Sequence, residues 1–291
     1  MSSRAPRERF ELLLIYASLG VFTFVVIFPF INTVARSFSA EGPISRNQVF
    51  FLPIQATADA YRRLMVNRGF WLSFQNSILI TVVSTPIQMG LTALAAYPLS
   101  RPNLPGRGFL MTAIVIQMIF PPGLIPFYLN VRQLGLINSY WAVILPYGIN
   151  TFNMIVLKSF FQTIPIELEE AAIMDGANPF QVLFRIMLPL AVPAMGTISL
   201  FYAVTSWNMF LPAVFFINDG SKMPLQVVLR EMIWSTQLND LGASPVDFER
   251  LAGVESLKSA CVIAASLPLV LAYLFLQKYF VKGITLGAVK G

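Results

Sequence analysis

Six apolar runs separated by polar stretches set the plan of this chain. They extend over about Leu12–Ala35, Phe70–Leu99, Phe109–Leu129, Tyr140–Phe160, Leu190–Ile217 and Leu257–Phe280. Each is close to or above the roughly 20 residues that a helix needs to cross a hydrocarbon core. The pattern therefore predicts an all-α integral membrane bundle forming a single domain of six spans over residues 1–291. Several runs carry their own punctuation. Pro29 predicts a kink near the outer end of the first span, and neighbouring helices can satisfy the carbonyl it frees. Pro121-Pro122-Gly123 must bend or end the third. Two readings stay open there: a broken helix lining a path, or a span that stops near Phe120. Ala93, Ala95 and Ala96 leave room for close helix contact in lipid, where packing rather than hydrophobicity drives association.

One polar stretch differs from the other connections. Residues 165–189 carry Glu167, Glu169, Glu170, Asp175 and Arg185 between two apolar runs. Pro165 suits the start of a helix, and acids just after it favour the positive end of the helix dipole. Gly176 and then Asn178-Pro179 end that helix and turn the chain, which predicts two short helices with a bend. Ala171, Ala172 and Gly176 leave a surface nearly free of side-chain bulk, with Glu170 as a charged anchor beside it. An acid-rich solvated loop fits the same residues.

Composition strengthens the membrane reading. Of 291 residues, 56% are hydrophobic, and the mean hydropathy is +0.68. The only cysteine, Cys261, lies in an apolar run, and histidine is absent, which removes internal disulfides and the commonest general base and nitrogen ligand. No metal site or catalytic residue is expected. The net charge of +6 is scattered over the connections without interleaved aromatics, so it reads as membrane topology and lipid contact rather than nucleic-acid binding. The basic front MSSRAPRER leads into a run too long for a cleaved signal core and is read as a retained first helix.

Orientation follows from where the charge sits. The 20 Lys and Arg divide evenly between the two sides of a six-span topology. Short loops count most, and the amino-terminal arginines with the compact Arg101–Arg107 turn place both ends in the cytoplasm. The span interiors hold no Asp, Glu, Lys or Arg, which argues against an ion-coupled carrier. No glycine-rich loop ends in Gly-Lys-Ser or Gly-Lys-Thr, so the chain does not cradle nucleotide phosphates itself. Neutral groups remain: Asn32, Asn76, Gln88, Gln117, Asn150, Asn153, Ser206 and Asn208, with Tyr202 and Trp207 as aromatic faces. Most buried amides in bundles bond neighbouring helices. Among groups that would meet a hydroxyl-rich solute, Trp207-Asn208 is the first candidate, followed by Asn153, Gln117 and Tyr202.

The spacing Glu170-Ala171-Ala172, three residues, Gly176, nine residues, Ile186, one residue, Leu188-Pro189 resembles the full EAA signature of the membrane subunits of ATP-binding-cassette importers. AAYPLSR, KSFFQTIPIELEEAA and QKYFVKGITLGAVKG extend the resemblance to the smaller permease of maltose-type carbohydrate importers. WNMFLPAVFFINDGSKMPLQVVLRE is similar to a branch handling oligosaccharides, acidic ones such as alginate or pectin fragments included. The resemblance implies the type I importer permease fold in a bacterial inner membrane. It implies a second permease, two ABC ATPase subunits that bind ATP and Mg, and an external substrate-binding protein, with no cofactor in this chain. By the same resemblance Glu170, Ala171, Ala172, Asp175 and Gly176 would dock on an ATPase, Leu188 and Pro189 would begin the helix that transmits motion, and the tail from Lys282 to Gly291 would reach the ATPase interface. The arginines Arg62, Arg63, Arg68, Arg132 and Arg230 suggest steering of an anionic solute, or contact with lipid phosphates or a partner's carboxylates. The competing class is an ATP-independent channel or facilitator for small polar solutes; a membrane enzyme has little support.

Overall fold

Some of the apolar runs break at prolines, a glycine or an asparagine, while others continue through an internal proline as one helix. In a computed structural model, which describes residues 6–231 and 255–288, the described residues form helices and connecting turns, with no strand among them. Three helices are long and apolar enough to cross a membrane: α1 (Pro6–Ser37, apolar from Leu12), α4 (Arg68–Ser100) and α14 (Glu255–Ala288, apolar to Phe275). Between α1 and α4 lie the short α2 (Glu41–Ser45) and α3 (Asp59–Val66). From Leu12 to Val34 no residue of α1 is buried, as suits a helix facing lipid or another chain, while Ala35 and Ser37 at its end are buried.

Several of the six expected spans are interrupted among the described residues. The third run splits at Pro121-Pro122-Gly123 into α5 (Arg107–Ile119) and α6 (Leu124–Gln133), which meet at 114°. The helix thus ends one residue before Phe120, and the chain turns sharply instead of carrying on to Leu129. The fourth run is α7 (Trp141–Ile144), a 3-10 turn at Leu145–Tyr147, and only then α8 (Thr151–Phe161). Pro146 has no N–H to continue the first turn, and Asn150 is extended (φ −92°, ψ 122°) with its side chain accepting the Asn153 N–H, which starts α8 afresh.

After α8 come α9 (Ile166–Met174), α10 (Pro179–Val182), a π-helical turn at Leu183–Met187, α11 (Leu188–Leu190) and α12 (Val192–Trp207). The axis bends by 84° at Ala191, because Pro193 in the next turn cannot continue the hydrogen-bond ladder. The fifth run, expected to continue to Ile217, breaks again at Asn208 before α13 (Leu211–Phe216). Among the described residues, counting each bent pair once gives up to five candidate crossings by length and composition, and α8 is a shorter apolar helix.

The chain packs as two units, the described parts of Met1–Arg68 with Leu229–Ser266, and of Gly69–Val228 with Leu267–Gly291. In the first, the polar stretch after α1 is tied down by local bonds. Asn32 donates to the carbonyls of Val49 and Phe50, both at 2.9 Å. Glu41 accepts the backbone N–H groups of Glu255 and Ser256, at 2.9 and 3.2 Å, and so caps the start of the last helix. Arg36 pairs with Glu255 at 3.2 Å.

In the second unit, one core joins α4 to α8 and to the segment from α10 to α12, through Met89, Ala93, Ala96, Leu157, Phe161, Val182, Met187 and Ile198. Its small residues are those the sequence marks for close contact. A second core at Ile80, Val131, Val143, Ala213 and Phe216 gathers α4, α6, α7 and α13. The segment after Asn218 is described only to Glu231, so Arg250 and the rest of it to Val254 lie outside the described residues. The backbone is helical through Ala288, where the glycines allowed an extended tail; 289–291, including Lys290, lie outside the described residues.

Candidate functional site

The 165–189 stretch forms the helix, turn and second helix that its sequence predicts. Pro165 is the N-cap of α9, one position before the first turn, and Glu167 and Glu169 lie in that turn near the positive end of the dipole. The helix ends where glycine is required. Gly176 sits at φ +84°, its N–H bonds Ile173 O at 2.9 Å, and Ala177 N bonds Ala172 O at 2.9 Å. That pair of bonds, six-to-one and five-to-two, is a Schellman closure. Asn178 then starts α10 with a reciprocal capping box: its Oδ1 accepts Gln181 N at 2.9 Å, and its own N donates to Gln181 Oε1 at 2.8 Å. The asparagine that the sequence marks as a turn residue is therefore also a cap.

The face built this way is open. Glu170, Ala171, Asp175 and Gly176 are exposed, as are Met174 (87%) and Phe180 (66%). No side chain of α9 is buried. Ala172 is half-buried against the core, and a Cβ built on Gly176 would meet nothing. Leu188 packs against the same core, while Pro189 is exposed. A short helix that shows two carboxylates, small residues and large apolar side chains can seat in a groove of another protein.

Sequence reasoning passed over the residues that hold this segment from behind. Glu169 turns inward, ion-paired with Arg101 and accepting the Tyr97 hydroxyl at 2.9 Å. The end of α4 beneath it is closed by side chains: Arg107 Nε donates to Leu99 O at 2.9 Å and Gln162 Nε2 to Ser100 O at 3.3 Å. The signal was present in AAYPLSR and the basic turn, but nothing local pairs them with an acid 68 positions on.

The groups proposed for a solute path separate into two sets. Tyr202 is 2% exposed; its hydroxyl lies 2.6 Å from Thr92 Oγ1 and accepts Asn150 N at 3.0 Å. Asn153 is buried one turn away, and exposed Gln117 accepts the Thr151 hydroxyl at 3.2 Å, so these three gather near the start of α8. Trp207 is 3% exposed with its ring edge-on to Phe74 at 5.7 Å. Its neighbour Asn208 is exposed, bonding Val204 O and Gln226. Five residues of helix, about 7.5 Å, separate Tyr202 from Trp207. Asn76 and Gln88 bond carbonyls of this chain and act as helix glue. A cleft of about 430 Å³ lies elsewhere, lined by Thr85, Met89 and Gly90 of α4, Phe184 and Leu188, and Met195 of α12. None of the five path candidates lines it.

Comparison with known proteins agrees with this architecture. Over 284 residues the chain is 41% identical to the polygalacturonan/rhamnogalacturonan transport system permease protein YtcP of Bacillus subtilis (strain 168), covering 96% of this chain and 98% of that one. It is 29% identical over 277 residues to the arabinooligosaccharides transport system permease protein AraQ of Halalkalibacterium halodurans, covering 92% of each. Among solved structures, a chain of a bacterial ABC transporter involved in the import of the acidic polysaccharide alginate superposes with a TM-score of 0.87 at 31% identity, over 96% of this chain and 100% of that one. Residues 88–286, a stretch that takes in the exposed helix, its turn and the core behind them, match a described family. The chain belongs to the binding-protein-dependent transport system inner membrane components.

Proposed function

We propose that this chain is one permease of a bacterial ABC importer that moves a carbohydrate across the inner membrane. A second permease completes the pore, two cytoplasmic ABC ATPase subunits bind ATP and Mg, and an external binding protein delivers the sugar. The chain performs no chemistry of its own and holds no cofactor. Its termini lie in the cytoplasm, on the side of the 165–189 segment.

The observation that carries the reading is α9 itself: an exposed helix closed by a glycine turn and set on the core that joins α4, α8 and α12. Glu170, Ala171, Ala172, Asp175 and Gly176 form the face an ATPase grips, with exposed Met174 and Phe180 as apolar contacts beside it. Leu188 and Pro189, before the bend at Ala191, pass the displacement to α12. Closure of the ATPases on ATP then drives the spans between inward-open and outward-open states.

An oligosaccharide is the expected cargo, and the likeness to an alginate importer and to a polygalacturonan permease supports an acidic one. Exposed Arg62, Arg63 and Arg68 suit an anion approaching from outside. Mild solubilisation of native membranes, capture of the tagged chain and quantification of what co-purifies test the assembly. An ATPase and a second permease in stoichiometric amount are expected. A chain that comes down alone and still conducts solute in liposomes would replace this reading with an ATP-independent facilitator.

A further inference from the structure

The α9 helix is joined to the chain behind it at a charged point that the docking face does not use. None of its nine residues is buried. Its one apolar foothold on the core is half-buried Ala172, a side chain too small to resist sliding. Successive helical residues point about 100° apart, so with Glu170 facing outward its neighbour Glu169 faces the end of α4.

There the Glu169 side chain is 13% exposed and the Arg101 side chain 17%. One carboxylate oxygen pairs with the Arg101 guanidinium, and the other accepts the Tyr97 hydroxyl at 2.9 Å. The guanidinium lies 5.1 Å from the centre of the Tyr97 ring and 3.2 Å from Met187 Sδ, in the π-helical turn. Three parts of the chain thus meet at one ion pair: the end of a 33-residue helix, the exposed helix and the segment leading into α12.

We propose that the Tyr97–Arg101–Glu169 cluster is the joint through which displacement of α9 reaches α4, with Arg101 and Glu169 as positioning residues for coupled transport. The proposal rests on the coupling role given to α9 above. A charge pair shielded from water resists both pulling and sliding, because separating it leaves two uncompensated charges in a poorly solvated place. Small apolar contacts such as that of Ala172 give way more easily. Load applied to the exposed face therefore moves α4 with α9 rather than peeling α9 from the core.

The test uses the complete importer in liposomes, reading ATPase retained per complex and sugar imported per ATP hydrolysed. Arg101→Glu and Glu169→Arg, each alone, are expected to keep the ATPase but lower sugar per ATP about tenfold, with the paired reversal recovering most of the loss. Tyr97→Phe, which keeps the ring and removes only the hydroxyl, is expected to lower the ratio by a smaller factor. Unchanged ratios in the single reversals, or no recovery in the pair, would overturn the joint while full ATPase retention left the docking reading standing. If the reversals fail to accumulate, Tyr97→Phe decides, and a parental ratio there overturns the proposal. A parental complex that retains no ATPase would instead overturn the docking reading, and the joint with it.

Discussion

Gly176 shows what one position contributes. Its φ of +84° lies in the region that costs a side-chain-bearing residue about 1–2 kcal/mol, least for asparagine. Because a Cβ there meets nothing within the chain, strain and bulk can be tested apart. Gly176→Val is expected to lower the detergent unfolding midpoint more than Gly176→Asn, while both reduce transport per ATP if the face docks. Parental transport by Gly176→Asn would remove Gly176 from the docking surface. The glycine was legible in the sequence because turn chemistry is local. The adjacent pair Glu169-Glu170 was not: two identical side chains differ only in the direction that the helix rotation gives them, inward to Arg101 or outward to solvent. Asn32, one of the neutral groups of the spans, bonds the carbonyls of Val49 and Phe50 and so holds the loop after α1.

At the level of elements, polar bonds between helices do much of the specifying. Lipid is as apolar as leucine, so shape and hydrogen bonding set which helix faces meet. The Tyr202 hydroxyl ties α12 to Thr92 on α4 and to the backbone N–H of Asn150, just before α8. Tyr202→Phe leaves these groups unpaired and is expected to cost about 1–3 kcal/mol, read as a lower thermal midpoint in detergent. An unchanged midpoint would mean that water replaces the hydroxyl. The break at Pro121-Pro122-Gly123 could be read directly, because three residues together exclude a straight helix. The bend at Ala191 and the late start of α8 were hidden: a single proline such as Pro193 or Pro146 is compatible with either a kink or a stop in a membrane helix.

For the whole molecule, the proposed steering by Arg62, Arg63 and Arg68 can be tested through selectivity for charged cargo. Arg62 and Arg63 are exposed on α3, where Arg62 pairs with Asp59 at 3.4 Å in a solvent-exposed pair worth little. Replacing Arg62, Arg63 and Arg68 with glutamine is expected to slow uptake of uronate oligomers, most at low salt, and to leave neutral sugars unaffected. Equal uptake of both by the variant would assign these residues to lipid or a partner instead. The sequence by itself determined the class of protein, its all-helical character and the polar device at 165–189. Those properties rest on summed hydropathy, turn residues and caps, which act within a few positions. Only the tertiary structure decided which apolar runs remain straight, which amides serve as glue, and that Glu169 closes on Arg101 and Tyr97. Those outcomes depend on which faces meet across long separations, where burial makes an unpaired charge or amide costly and so selects the arrangement that pairs it.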